Sequence, residues 1–204
     1  MDGDVAAFTH GHFGRVLPIE QIPVGKRNGT RNPIRADFDF SLPEPNQETW
    51  SLIRLEANRS DGGVVDIELL RPNDLIRKMA IVVSGSIPFE VEELEINSWA
   101  KVVAIEPSPQ ISDGDGSVIT ARFQTRRVDE VTTVTLEDGS KLTGTTVHPI
   151  WSVTANAWVG LSKLGEGDLV QGRNGNHRVT NIESQAWCRP VYNIEVHGEH
   201  RPVK

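Results

Sequence analysis

One stretch of the sequence, residues 144–151, combines side chains that could do chemistry at a suitable spacing. It places a threonine and a histidine three residues apart, Thr145 and His148, directly before Pro149. A hydroxyl group and an imidazole held close together can polarise a backbone carbonyl or move a proton. Little else in the chain indicates chemistry, so the segments that position these two side chains determine how they could act.

The segments around this stretch have the composition of short β-strands. Val, Ile and Thr are mixed with polar residues at a period near two, which is typical of strands with one buried face. The clearest examples are residues 50–55, 64–70, 101–105 and 118–123.

Three tight-turn sequences separate strand-like runs, at residues 61–63, 138–139 and 174–175, which are Asp-Gly-Gly, Asp-Gly and Asn-Gly. These residues accept the positive φ of a tight hairpin, so they predict antiparallel pairing. The clearest helical pattern, residues 73–80, follows Pro72 and begins with candidate N-cap residues. We therefore expect an all-β fold with one short helix.

The composition narrows the classes of function. The chain has 204 residues, a formal net charge of -7, 37% hydrophobic residues and 24% charged residues. This charge argues against binding to nucleic acid and against docking on an anionic membrane, since both require a basic face. No apolar run approaches the ~20 residues of a membrane span. The acidic N-terminus contains no apolar segment typical of a secretory signal, and the compartment stays unknown.

A single cysteine, Cys188, excludes a disulfide framework and a cysteine-based zinc site within this chain. We expect Cys188 to be a small buried apolar residue and not a nucleophile, because it lies late in the chain, on the wrong side of the Thr145–His148 stretch. We also expect Trp151 and Trp158 to lie in the core and to pack across a hairpin.

Two irregular stretches divide the chain. Residues 31–45 are rich in proline, and residues 106–116 combine Pro, Asp and Gly, so neither favours regular strand pairing. We interpret residues 1–204 as a single domain in which residues 37–107 form an insertion or an elaborated subdomain.

Three segments occur in an order and spacing that resemble one known family. They are residues 17–25 (LPIEQIPVG), residues 142–168, in which Trp158 follows the Thr-x-x-His pair, and residues 190–200 (PVYNIEVHGEH). Together they resemble the HINT (hedgehog/intein) domain, in particular the pretoxin-HINT branch of polymorphic toxin proteins. The resemblance implies an all-β, HINT-like compact horseshoe of antiparallel strands.

The resemblance also implies an autoproteolytic, intein-like activity. In this family an N-terminal Cys or Ser attacks the preceding carbonyl and converts a peptide bond to a thioester or ester. The pair matched here by Thr145 and His148 polarises that bond and protonates the leaving amide, and a later histidine, matched by His200, assists. No cofactor is implied. The implied partners are flanking segments of the same polypeptide or a toxin module, and family members often belong to secreted or cell-surface proteins.

The chain departs from the family pattern at both ends of that reaction. Counting back from Ile19-Glu20, the expected nucleophile falls near Gly3, and the nearest hydroxyl, Thr9, lies closer to the motif than the pattern requires. The sequence ends at Lys204 without the His-Asn pair that closes many members. Because a nucleophilic mechanism needs a thiol or hydroxyl against the scissile bond, we expect little or no self-cleavage from the chain as given.

Other interpretations of the same residues remain open. Thr145 suits a strand end, and a histidine before a proline often hydrogen-bonds a backbone carbonyl within a β-turn. The chain would then be a non-catalytic β-rich module that binds a protein partner or spaces domains. His148, His197 and His200 could instead form the zinc site of a hydrolase, but residues three apart on a strand face opposite sides, so we expect no metal.

Overall fold

The computed structural model describes residues 17–28, 43–172 and 175–198. Within these residues the chain forms thirteen strands, β1–β13, and one α-helix, α1. The prediction of an all-β fold with one short helix is confirmed. The described residues divide into two compact units, a smaller unit of residues 127–172 and 175–191 and a larger unit of residues 17–28, 43–126 and 192–198. No helix in these ranges is long and apolar enough to cross a bilayer.

The larger unit contains a seven-stranded sheet. Its strands are β1 (Arg27–Asn28), β2 (Trp50–Asn58), β3 (Val64–Pro72), β4 (Ser86–Val91), β5 (Ile96–Pro107), β6 (Ser117–Thr125) and β13 (Val191–Val196). They lie in the order β1-β6-β3-β2-β5-β4, and β13 also pairs with β6. Strands β2–β5 come from residues 37–107 and share this sheet with β6. The interpretation of that region as an insertion stays a prediction.

The alternation of apolar and polar residues directs one face of this sheet into the core. On β2 and β3, Ile53 pairs with Leu69 and Leu55 pairs with Ile67, and all four are buried. Burying one such side chain fully contributes about 1.5–3 kcal/mol, so this cluster is a main source of the stability of the unit. The intervening residues carry ion pairs, such as those of Arg54 with glutamates on β3 and β5.

The predicted hairpins are confirmed within the described residues. Strands β2 and β3 pair antiparallel across residues 61–63, and Gly62 has a φ of 84°. A second hairpin turns at residues 138–139, where Gly139 has a φ of 82°. The strands flanking the third turn also pair antiparallel, although residues 173–174 of that turn lie outside the described residues. Glycine at these turns adopts the positive φ without steric cost.

The helix α1 (Asn73–Lys78) begins one residue earlier than the N-cap prediction requires. Pro72 occupies the N-cap position without a side-chain cap, and Asn73 is already helical, so the expected capping role was wrong. The Asn73 side chain instead accepts a hydrogen bond from Ser51 Oγ at 2.7 Å and donates one to the carbonyl of Glu48 at 3.4 Å. These contacts fasten the start of the helix to β2 and the turn before it.

The smaller unit contains a six-stranded sheet in the order β10-β9-β11-β12-β7-β8. Its strands are β7 (Glu130–Leu136), β8 (Lys141–Gly144), β9 (Pro149–Ser152), β10 (Ala157–Gly160), β11 (Leu169–Gly172) and β12 (Gly175–Ala186). A separate apolar cluster holds it together, formed by Val134, Leu136, Leu161, Leu164, Val170 and Val179. The unit therefore has its own core, against which Leu142 and Ile150, on either side of the Thr145–His148 stretch, also pack.

Two expectations about side-chain burial were wrong, at least in part. Trp151 and Trp158 do pack across the β9–β10 hairpin, with ring centroids 5.6 Å apart in an edge-to-face arrangement. Trp158 is nevertheless 52% exposed, because β10 is an outermost strand of its sheet. Cys188 is exposed rather than buried, because it follows the end of β12 at Ala186 in a segment that pairs with no strand.

Candidate active site

Thr145 and His148 occupy the two ends of one β-turn. Thr145 follows β8, which ends at Gly144, and His148 precedes β9, which begins at Pro149. The backbone N–H of His148 donates to the carbonyl of Thr145 at 3.0 Å and closes the turn. The proline disfavours helical backbone at the preceding residue, so it helps His148 leave the turn in an extended conformation. Purely local structure thus puts the two residues that the sequence singled out at the ends of one turn.

The segment that follows β10 holds this turn in place. The N–H of Leu161 donates to the carbonyl of His148, and the N–H of Ser162 donates to the carbonyl of Thr146, each at 3.0 Å. Since both acceptors belong to the turn, these bonds fix the turn against the 3-10 turn Leu161–Lys163.

Two glycines allow the backbone to approach this closely. A Cβ added to Gly160 would lie 3.1 Å from the carbonyl oxygen of Thr146 and 3.3 Å from Cα of Val147. A Cβ added to Gly144 would lie 3.2 Å from Cβ of His148 and 3.1 Å from Cδ1 of Leu161. The side chain of His148 therefore packs directly against the backbone of Gly144, at the end of β8.

Burial lowers the pKa of the His148 imidazole below its ordinary value, and the residue as a whole is half-buried. A depressed histidine pKa means that the imidazole is neutral at neutral pH, with one nitrogen as donor and the other as acceptor. Among the described residues, neither Thr145 nor His148 has a side-chain hydrogen-bond partner. A hydroxyl and a neutral imidazole at the two ends of one turn can polarise a carbonyl or relay a proton.

The remaining residues expected at the site lie either outside the described residues or in the larger unit. His200, Gly3 and Thr9 lie outside the described residues. His197 belongs to the larger unit, where its N–H donates to the carbonyl of Val118 at 2.7 Å. The described residues contain no group of three or more His, Cys, Asp or Glu side chains that could hold a metal ion.

The first motif segment and residues 192–198 of the third belong to the larger unit. In the first, Gly25 has a φ of 90°, and an added Cβ would lie 2.9 Å from the carbonyl oxygen of Gln110, so only glycine suits this position. In the third, Tyr192 lies under the guanidinium of Arg122, 5.1 Å from its ring centroid. These positions are explained by packing.

Sequence reasoning missed one group in the third segment. Glu195 is buried and forms a bidentate ion pair with Arg71, and Thr120 donates a hydrogen bond to the same carboxylate. The sequence contains no signal for it, because Tyr192, Ile194 and Val196 form the apolar phase of this strand and Glu195 falls in the other phase. The structure nevertheless buries Glu195, and a buried carboxylate requires a cationic partner.

No family model matches this sequence, and no curated protein is significantly similar to it. Several solved structures are similar to the chain at low identity. The TvoVMA intein is 16% identical, with a TM-score of 0.36 over 72% of this chain and 89% of the intein. The PabCDC21-1 intein is 13% identical, with a TM-score of 0.39 over 70% of each chain. The transcription factor IIB Mvu mini-intein is 12% identical, with a TM-score of 0.35 over 72% of this chain and 89% of the mini-intein. At TM-scores this low the likeness carries no argument about the site.

Proposed function

We propose that this chain is a HINT-type self-processing module of the pretoxin branch, in which Thr145 and His148 polarise a peptide bond at a junction with a flanking segment. The three motif segments occur in the family order, and their chain folds into antiparallel sheets. The observation that carries the proposal is the β-turn that places Thr145 and His148 at its two ends, closed at 3.0 Å, with the pKa of His148 lowered by burial.

The chemistry that this pair would perform is an N-to-S or N-to-O acyl shift. A thiol or hydroxyl adds to the carbonyl carbon of the preceding peptide bond, and the bond from that carbon to the amide nitrogen breaks. A neutral imidazole can take the proton of the nucleophile and then give it to the leaving nitrogen, so the net proton transfer is from sulfur or oxygen to nitrogen. The hydroxyl of Thr145 would donate to the carbonyl oxygen as negative charge develops there.

The nucleophile is the part of this mechanism that the sequence does not supply at the expected place. Gly3 stands there, and Cys188 is exposed and lies beyond the second motif segment. We therefore propose that the chain as given contributes the polarising pair and cleaves itself little or not at all. Its partners in processing would be flanking segments of its own polypeptide or a toxin module, with His200 assisting the later step.

A fusion with a tag on each side of the chain tests both parts of this proposal. The unaltered fusion is incubated with a thiol and analysed by mass spectrometry, beside variants in which cysteine replaces Asp2, Gly3 or Asp4 singly. We expect the unaltered fusion to stay intact and at least one cysteine variant to cleave at that cysteine. Adding His148→Ala should abolish this cleavage, and Gly165→Ala is the matched control in the same unit.

The two failures of the proposal are distinct. If the unaltered fusion cleaves at one site and His148→Ala prevents it, the chain is active and the proposed lack of a nucleophile is wrong. If all three cysteine variants are folded and stay intact, the self-processing function is wrong.

The alternative is a non-catalytic β-rich module that binds a protein partner. One observation favours it: Met79, Val82 and Val83, which follow helix α1, are 49%, 61% and 53% exposed. Val82 and Val83 are adjacent, and contiguous exposed apolar surface is typical of contact sites. Under this alternative, Thr145→Ala and His148→Ala change stability at most, whereas changes at Val82 and Val83 to serine reduce partner binding.

A further inference from the structure

A buried ion pair joins the third motif segment to β3. The carboxylate of Glu195 on β13 accepts two hydrogen bonds from the guanidinium of Arg71, from Nη1 to Oε1 and from Nη2 to Oε2, each at 3.0 Å. Thr120 Oγ1 on β6 donates to the same Oε1 at 2.7 Å. The side chains of Glu195 and Arg71 are only 8% and 19% exposed. Three strands of the larger unit therefore meet at one carboxylate.

Such a pair is more effective at fixing geometry than at stabilising a fold. Two parallel N–H···O bonds between a guanidinium and a carboxylate restrict both distance and angle. The cost of removing both charges from water offsets most of their attraction, so a well-packed apolar pair is often as stable. What the Arg71–Glu195 pair adds is therefore a defined position for β13.

The residues that follow Glu195 depend on that position. Two residues further along, the N–H of His197 donates to the carbonyl of Val118 on β6 at 2.7 Å. The His197 ring lies edge-on to the ring of Trp50, with centroids 5.8 Å apart and planes at 78°. Any displacement of β13 along β6 would break both contacts, and it would also move the point from which the chain continues toward His200.

We propose that Arg71, together with Thr120, is a positioning residue that fixes β13 and so places the third motif segment. Its consequence for cleavage rests on the function proposed above. Arg71 lies within residues 37–107, so the region interpreted as an insertion contributes directly to the arrangement of the motif strands. Residues 37–107 would then help to position the residues that act in processing, in addition to forming strands of the larger sheet.

The test compares Arg71→Lys with Arg126→Lys in the full chain. Arg126 forms a similar fork with Asp66 on the same sheet, but its side chain is 50% exposed and no motif residue is attached to it. Lysine keeps the charge and removes the fork, so both variants should fold. NMR measures the hydrogen exchange of the His197 amide and the ring-current shift of the His197 imidazole protons caused by Trp50. The amide of Val102, bonded to the carbonyl of Gly85 at 2.9 Å, is the internal reference.

We expect Arg71→Lys to speed exchange of the His197 amide about ten-fold relative to Val102 and to reduce the ring-current shift. Arg126→Lys should change neither. The double variant Arg71→Met with Glu195→Leu should recover resistance to urea without recovering the His197 signals. The positioning role is overturned if the apolar pair restores the His197 signals together with the resistance to urea. It is also overturned if Arg71→Lys leaves both His197 signals unchanged.

The positioning role and the proposed function fail separately. The NMR signals need no cleavage, so they decide the role of Arg71 even if every cysteine variant stays intact. If a cysteine variant does cleave, Arg71→Lys should slow the reaction while Arg126→Lys does not.

Discussion

Replacing Gly144 by alanine tests whether the imidazole of His148 depends on the close backbone approach at the end of β8. An alanine Cβ would lie 3.1 Å from Cδ1 of Leu161, and 3.2 Å and 3.3 Å from Cβ and Cγ of His148. Carbon atoms pack most favourably at about 3.5–4.0 Å, so both neighbours must move by a few tenths of an ångström. Gly144 itself does not have a positive φ, so alanine meets no backbone strain there.

Two opposing effects set the magnitude. Overpacking costs about 1–3 kcal/mol, and the loss of glycine freedom in the unfolded chain stabilises by about 0.4–1 kcal/mol. We expect Gly144→Ala to lower the free energy of unfolding by about 1 kcal/mol. The matched control is Gly165→Ala, whose added Cβ would be 3.7 Å from its nearest neighbour, Oδ2 of Asp168, and should cause no loss.

Urea unfolding followed by tryptophan fluorescence gives the stability, and an NMR titration gives the pKa of His148 in each variant. Because burial lowers this pKa, an imidazole displaced toward solvent should titrate closer to the ordinary histidine value. The reasoning is refuted if Gly144→Ala is as stable as Gly165→Ala and leaves the pKa of His148 unchanged.

Three further predictions follow from the same structure. Because burial lowers the pKa of His148 in the folded state, the contribution of His148 to stability is full above the unfolded pKa of about 6.5 and is lost as the pH falls toward the folded pKa. The free energy of unfolding of His148→Gln, measured in urea, should therefore depend less on pH in that window than that of the unaltered chain. Equal pH dependence of the two free energies would contradict this prediction. Trp158→Ala should cost about 0.5–1.5 kcal/mol for the edge-to-face contact plus a modest burial term, and a loss of about 3–5 kcal/mol in urea unfolding would mean that Trp158 is a core residue after all. Cys188 is exposed, so a chromogenic disulfide reagent should label it in the native chain as fast as in urea, and protection of the native thiol would contradict its placement.

The parts of the fold that could be predicted from sequence are those set by neighbouring residues. Residues 61–63 and 138–139 specify hairpins through glycine at positive φ, and the strands beside them alternate in the expected phase. The Thr145–His148 turn belongs to the same class, because its two ends are only three residues apart and Pro149 ends it.

The parts that could not be predicted depend on strand order. Trp158 has an apolar side chain in a suitable strand, but β10 is outermost in its sheet and leaves the ring half exposed. Arg71 and Glu195 are 124 residues apart, and only the pairing of β3 and β13 with β6 makes them neighbours. A single sequence contains no local signal for such a contact, because Glu195 alternates with the apolar residues Tyr192, Ile194 and Val196 as a solvent-facing residue would.

The claim that Thr145 and His148 act on one peptide bond is tested most directly by the cleavage rate of a self-cleaving cysteine variant such as Gly3→Cys. Thr145→Ala, His148→Ala and the double variant are measured side by side. We expect each single change to slow cleavage about 100-fold or more, and the double change to be little slower than the worse single one, because residues that act as a unit are not additive. Unchanged rates in both single variants would contradict the account.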